Sequence, residues 1–397
     1  MNFKNNCKIN ILTIGRFHVF EYARMFEKIG ILNKIISGYP KFKLKDEPKI
    51  AENKIIGIGT HGLYMYLIRF KYFPDLFLKT IDLLSIFFFQ AFSSIIIFFN
   101  KSEYLLILSK SGLLAALIQK YILRGKVIVE HTSTHPKNYN KIVEYESKFY
   151  NIKPQLVDNF SLLIHELEFK IADKIIVPSN YVKQTFKKYS KKLVVIPIPS
   201  NDRFSNFLEI YNYTRKEKVS KIKNIPNINI LSICQITPRK GIRYLLETLN
   251  YLSNKFDINL TLIGKSSIAM NNYIKNYPKN FEINYMENLS QPNLIKYYLE
   301  SDIFLLLSAE EGLPSVFKES ILCNLPIIGS IESGARDIQI ENKVYCIDKT
   351  DKIKIYNLIQ KILNNKELNS HFGKKFIDKY DSDILVKWIN IINNLSK

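Results

Sequence analysis

The chain has 397 residues, of which 47% are hydrophobic and 13% aromatic. That length exceeds what one hydrophobic core usually holds, and the composition excludes a disordered or fibrous chain, so two globular domains are expected. The formal net charge of +21 points to an anionic partner, although Lys, Asn and Ile are enriched together across the whole chain. Cys7, Cys234, Cys323 and Cys346 form no C-x-x-C pair, which argues against zinc and redox motifs and fits a reducing cytosol.

The chain opens on MNFKNNCKINILTIG, which has no apolar core followed by a cleavage site and reads as a first strand rather than a signal peptide. Further β-rich runs are KIISG (34–38), YLLILS (104–109), KVIVEH (126–131), DKIIVP (173–178) and KLVVIP (192–197). Helical patterns at Phe17–Ile29, Gly112–Leu123 and Asn180–Tyr189 separate them, and the alternation predicts βαβ units around a parallel sheet. Residues 81–99, IDLLSIFFFQAFSSIIIFF, are about long enough to cross a bilayer but carry Asp82, Ser85, Gln90, Ser93 and Ser94. Three readings stay open for them: a buried or interfacial helix, a monotopic membrane contact and a span. Arg69, Lys71, Lys79 and Lys101 flank the segment and would suit an anionic lipid surface.

At IPIPSNDRFSNF the order breaks, and residues 198–228, with the basic run RKEKVSKIKNIPN, read as an interdomain region. Alternation restarts with INILSIC (228–234), INLTLIG (258–264), FEINYM (281–286), DIFLLLS (302–308) and PIIGS (326–330), joined by helices at 241–253, 291–300 and 315–323. In doubly wound sheets ligands bind beyond the carboxyl ends of strands, so the loops there hold the candidate residues.

Two loops stand out. After DIFLLLS comes AEEGLPS, in which Gly312 would let the backbone pass close to a ligand and Pro314 suits a first helical position. The N–H groups of Ser315, Val316 and Phe317 would then face an anion with the positive end of the helix dipole. Glu311 and Glu319 are candidates to accept hydrogen bonds from the hydroxyls of one ligand; the alternative is a loop charge and a solvated helix face. After INILSIC comes QITPRKG, where Lys240 would neutralise a diphosphate and Arg239 would bind it bidentately, unless this is an ordinary surface turn.

Together these segments resemble the retaining GT-B glycosyltransferases of family 4, the glycosyl transferases group 1. The resemblance rests on Glu311-x7-Glu319 followed by NLPIIGS, on CQITPRKG as a K-G turn, on SGARDI (333–338), on LIGK (262–265), on IADKIIVPSNYVKQTF (171–186) and on KLVVIPIPSNDRF (192–204). It runs from about residue 165 to 365. Earlier, TIGRFHVFEYARMFEKIG (13–30) and VIVEHTSTHP (127–136) stand where the family places acceptor-side loops.

The resemblance implies an α/β fold of GT-B architecture: two doubly wound Rossmann-like domains facing across a cleft, with a C-terminal helix crossing back. The implied boundaries are 1–200 for the acceptor domain, 201–375 for the donor domain and 376–397 for the returning helix, with Trp388 at the crossing. It implies catalytic roles for Glu311, Lys240, His131 and His135. It implies donor contacts from Gly15, Gln235, Arg239, Lys240, Gly241, Gly264, Glu311, Gly312, Leu313, Pro314, Ser315, Val316 and Glu319. Glu311 would contact the transferred sugar and Glu319 the ribose, while Arg16 and His18 would line the cleft. Gln235 stands where the family usually has Arg, and Pro314 where it commonly has a second Gly. No cofactor or metal is expected beyond the nucleotide-diphosphate sugar. The basic charge and the aromatic-rich 64–99 region point to a glycan or lipid-linked saccharide acceptor of bacterial surface polysaccharide assembly. The cysteines and that region together give a cytoplasmic location, with peripheral contact at an anionic membrane left open. A nucleic-acid partner is not expected, because the Lys are dispersed and no stacking-aromatic motif accompanies them. The competing readings are an epimerase and a non-catalytic nucleotide-sugar-binding protein of the same fold.

Overall fold

Uninterrupted Ile, Leu and Val runs suit strands covered on both faces, and the computed structural model puts these runs in parallel sheets. The structure describes residues 7–45, 47, 49–67, 74–200, 202–210, 226–338, 340–364 and 372–396. The first sheet holds β1 (Ile9–Thr13), β2 (Leu32–Ser37), β3 (Ile55–Gly57), β4 (Tyr104–Leu108), β5 (Lys126–Glu130), β6 (Lys174–Val177) and β7 (Leu193–Val195), in the order β3-β2-β1-β4-β5-β6-β7. The second holds β8 (Asn227–Ile233), β9 (Asp257–Ile263), β10 (Glu282–Met286), β11 (Ile303–Leu306), β12 (Ile327–Ser330) and β13 (Val344–Ile347), in the order β10-β9-β8-β11-β12-β13. All pairings between these strands are parallel. This is the two-domain α/β architecture that the resemblance implied.

Winding reverses once in each sheet, between β1 and β4 and between β8 and β11. At such a reversal neighbouring connections leave to opposite faces and open a crevice at the carboxyl edge. The helix Phe372–Leu395 joins the halves. Its Ile377 packs in the second core with Phe317 and Ile321, and its Ile384, Trp388, Ile391 and Ile392 pack in the first. Trp388 is fully buried, edge-on to Tyr22 and Phe26 at 5.1 and 5.2 Å between ring centroids. Near it Tyr22 donates to the Pro197 carbonyl at 3.3 Å and Tyr380 to that of Ile198 at 3.3 Å, so the crossing helix and the connecting chain are tied together.

Two sequence expectations change, and one that was left open narrows. The interdomain stretch contains a helix, Asp202–Ile210, because Phe204 finds a fully buried place in the second core; residues 211–225, with most of the basic run, lie outside the described residues. The helices expected at 112–123 and 180–189 are shorter, ending at Leu117 and Thr185 before a π turn and a 3-10 turn. The apolar segment is a helix, Asp75–Phe99, lying against the first domain, while Arg69 and Lys71 lie outside the described residues.

Candidate functional site

The turn after β8 is set by a glycine. Gly241 has φ +68, and a Cβ there would lie 1.9 Å from the Leu307 carbonyl oxygen, so no other residue fits against the end of β11. This close approach brings the turn Pro238–Lys240 against the loop 309–311: Ala309 and Glu310 N–H both donate to the Arg239 carbonyl, at 2.8 and 3.2 Å. Lys240 is buried and its ammonium contacts the Glu311 carboxylate directly. Burial first, then the Arg239 charge, push the Lys240 ammonium down to about 7. Cys234 and Glu310 act in the opposite direction. Arg239 lies 3.2 Å from Glu310 and 3.7 Å from Glu311.

Gly312 does approach a backbone closely, but the backbone belongs to the other domain. A Cβ on it would sit 1.7 Å from the Thr132 carbonyl oxygen and 2.9 Å from Pro178. Pro314 is the residue before the helix and not its first position. Its ψ of 139° is extended, so the helix starts at Ser315. The Phe317 N–H donates to the Pro314 carbonyl at 3.3 Å, which leaves Ser315 and Val316 as the helix-end residues lining the cleft. Glu319, one turn further, is buried and accepts a 2.7 Å hydrogen bond from the Tyr298 hydroxyl, and burial raises its carboxyl pKa. Lys318 is buried too and donates to the Ile198 carbonyl at 3.0 Å.

The facing wall comes from the loop after β1. Arg16 pairs with Glu47, which also holds Arg24 at 2.7 Å, and His18 contacts the buried Glu130 at 2.7 Å. Between the walls lies a cleft of about 570 Å³. It gathers Arg16 and His18 from one side with Lys240, Glu311, Leu313, Pro314, Ser315 and Val316 from the other. Among the described residues no three His, Cys, Asp or Glu side chains group as a metal site would.

The remaining expected residues do not line this cleft. Gly15, Gly241, Gly264 and Gly312 shape it instead. The Gly15 carbonyl accepts from Thr13 and Ser37 hydroxyls at 3.1 and 3.3 Å, and a Cβ on Gly264 would meet the Cys234 carbonyl oxygen at 1.7 Å. Gln235 is exposed, and Arg239 is engaged by the two glutamates. His131 is buried, edge-on to His165, Phe169 and Phe186, with Nε2 3.1 Å from the Thr134 carbonyl. Burial lowers its pKa to about 4. His135 precedes the helix Pro136–Phe149, where Nδ1 accepts from the Lys137 N–H and Nε2 lies 3.2 Å from Glu166. Neither imidazole lines the cleft.

Glu310 escaped the sequence reading. It is wholly buried and accepts from the Ser133 hydroxyl at 2.6 Å and the Thr134 N–H at 2.9 Å, both in the other domain. The doubled acid in AEEGLP was its only sequence signal. Glu47, Glu130 and Gln291, at or beside the cleft, had none.

Residues 214–378 match the family model described as glycosyl transferases group 1. An uncharacterized glycosyltransferase of Haemophilus influenzae is 29% identical over 177 residues, 43% of this chain and 49% of that protein. The capsular polysaccharide biosynthesis glycosyltransferase CapM of Staphylococcus aureus is 25% identical over 222 residues, 53% of this chain and 56% of that one. The chain thus spans about half the length of the curated relatives it matches. Among solved structures, sucrose-phosphate synthase from Thermosynechococcus elongatus superposes with a TM-score of 0.64 at 16% identity, covering 98% of this chain and 99% of that one. At that identity the likeness is one of fold.

Proposed function

We propose a function from one premise: residues 214–378 match the glycosyl transferases group 1 family model. The reaction is transfer of a sugar from a nucleotide-diphosphate sugar to a glycan or lipid-linked acceptor, with retention of anomeric configuration and without a metal. The acceptor side is residues 1–200, the donor side 201–375, and 376–397 the returning helix. The similarity to CapM favours a step in surface polysaccharide assembly. Four free cysteines fit a cytoplasmic enzyme.

One observation carries the reading. Lys240 and the helix start at Ser315 and Val316 converge on a cleft whose other wall holds Arg16. A diphosphate there meets an ammonium and a helix N-terminus, the groups that stabilise negative charge on a departing phosphate. Glu311, displaced from Lys240 by that phosphate, is free to accept sugar hydroxyls. In the transfer the bond from the anomeric carbon to the diphosphate breaks, the acceptor oxygen bonds that carbon on the same face, and the acceptor proton leaves on the diphosphate. Glu319 supports the helix through Tyr298 and reaches a ribose only by exchanging that partner.

The test is thermal unfolding of the purified protein with UDP, GDP, ADP, CMP and their sugar conjugates in metal-free buffer, since a ligand of the native state raises apparent stability by mass action. One diphosphate nucleotide should shift the midpoint, and Lys240→Ala should lose the shift. No shift with any nucleotide in a folded sample would overturn the donor site and leave a binding protein that has lost its ligand.

A further inference from the structure

The helix Asp75–Phe99 is inside out. Its polar side chains Ser85, Gln90, Ser93 and Ser94 are buried. Ser93 and Ser94 donate to the Gln90 carbonyl at 3.1 and 2.6 Å, and the Gln90 side-chain oxygen accepts from the Leu114 N–H at 3.3 Å. Phe89 and Ile97, both fully buried, pin the helix to the first core. The outer face carries Leu84, Phe88, Phe92, Ile95 and Phe99, spaced by four, four, three and four residues and between 45% and 77% exposed. A helix facing water shows the reverse pattern, and a continuous apolar stripe of this kind marks an interaction surface. The stripe runs on into the adjoining turn Ile118–Ile122, where Tyr121 and Ile122 are 68% and 60% exposed.

Charge identifies the occupant. Where the helix ends, the chain enters β4 beside the start of β5, and the Lys126 N–H donates to the Glu103 carbonyl at 2.8 Å. Lys101, Arg124 and Lys126 are exposed at this end, and among the described residues none of them forms an ion pair; the acids beside them are Glu103 and Asp173, whose carboxylate accepts from the Val127 N–H at 2.9 Å and pairs with Lys120. We propose that this face seats the protein on an anionic lipid bilayer, with the aromatic stripe in the interfacial layer and the three cations at the headgroups. The helix does not span, because its polar side and two of its largest anchors are committed to the domain. A second copy is disfavoured as the occupant, because it would bring a net charge of +21 against itself. The three cations stand at the starts of β4 and β5, the amino edge of the sheet, while further along the helix Ser85 lies 3.4 Å from His61, on the side of the loops that follow β1 and β2.

The measurement is flotation of the full chain with vesicles of phosphatidylcholine alone or mixed equally with phosphatidylglycerol. The protein should float with the anionic vesicles, about tenfold more than with the neutral ones, and less at high salt. Phe88→Ser/Phe92→Ser/Ile95→Ser should lower the bound fraction about tenfold, and Lys101→Glu/Arg124→Glu/Lys126→Glu should remove the lipid preference. Trp388 is buried and is the only tryptophan, so Phe92→Trp adds a surface reporter whose emission should shift to the blue on anionic vesicles. No flotation together with an unshifted emission would overturn the proposal. So would a stable dimer in sedimentation that the three serine substitutions convert to monomer. The assay reads no turnover, so it fails or holds independently of the transferase reading.

Discussion

The two walls of the cleft are built by different means. The C-terminal wall is made of two tight turns, each seated by a glycine that meets a backbone carbonyl, Gly241 at Leu307 and Gly312 at Thr132. Its functional side chains lie within a few residues of those turns. The N-terminal wall also has a glycine against a carbonyl, Gly38 at Ile14, but its charged side chains are held by partners far along the chain. Arg16 is held by Glu47, 31 residues away, and His18 by Glu130, 112 residues away. One wall is specified by local backbone geometry, which leaves a spacing pattern; the other is specified by ion pairs that form only when the sheet assembles.

The strongest way to break this contrast is at Lys240. If it is the principal charge facing the leaving diphosphate, Lys240→Ala should lower turnover by about 10²–10³ with little change in the unfolding midpoint. Arg16→Ala should act more weakly, because its guanidinium is already committed to Glu47. Steady-state rates for the two variants with the donor found by the thermal screen decide it. Equal losses would mean that both walls meet the same phosphate.

Next in size is the strut between the walls. Glu310 is wholly buried and ties Arg239 on its own side to Ser133 and Thr134 on the other. Glu310→Ala leaves those donors without their acceptor and should cost about 2 kcal/mol, a figure reduced from that of a fully buried pair because Arg239 is 20% exposed. Glu310→Gln keeps an acceptor for Thr134 and should cost about half as much. Denaturant unfolding of both separates the charge from the hydrogen bonds.

Gly312→Ala tests the same junction sterically. The atoms its Cβ would meet are backbone and proline ring, not a side chain that can swing away. The walls must therefore separate by a fraction of an ångström or more, at about 1–2 kcal/mol. Calorimetry should show the lower stability. A neutral result would mean that the domains already stand further apart in solution.

The same contrast explains what was legible in the sequence. Eleven strands were visible because a buried parallel strand is an apolar run that needs no partner to be recognised. β3 and β13 were not, because IIG and VYCI lack the longer apolar run, LVVIPIP, that made the equally short edge strand β7 visible. Lys240, Glu311 and the helix start at Ser315 were readable because turn, spacing and helix end are close in sequence. The roles of His131, His135 and Glu319 were inferred from position in a motif, but side-chain direction depends on neighbours far along the chain. Phe169 and Phe186 enclose the imidazoles, and Tyr298 takes Glu319. Gly312 was expected to let the backbone pass close to a ligand; what it meets instead is the Thr132 backbone, and no local signal identifies that chain.

The smallest effect concerns pH, and it bears on the wall that was legible. Burial and Arg239 bring the ligand-free Lys240 ammonium down to about 7, against the pull of Cys234 and Glu310. A bound diphosphate adds negative charge beside it and raises that pKa, so above about pH 7 binding must take up a proton. Affinity for the nucleotide sugar should therefore be flat below pH 7 and weaken as pH rises from 7 towards 9, by up to about tenfold per unit at the steepest. A nucleotide sugar is the right ligand, since its diphosphate has no group that titrates in this window. Lys240→Arg keeps a permanent charge and should flatten the profile even if it binds less tightly overall. Titration calorimetry in two buffers of different ionisation enthalpy would count the proton directly. A slope that survives in Lys240→Arg would move the titrating group off Lys240.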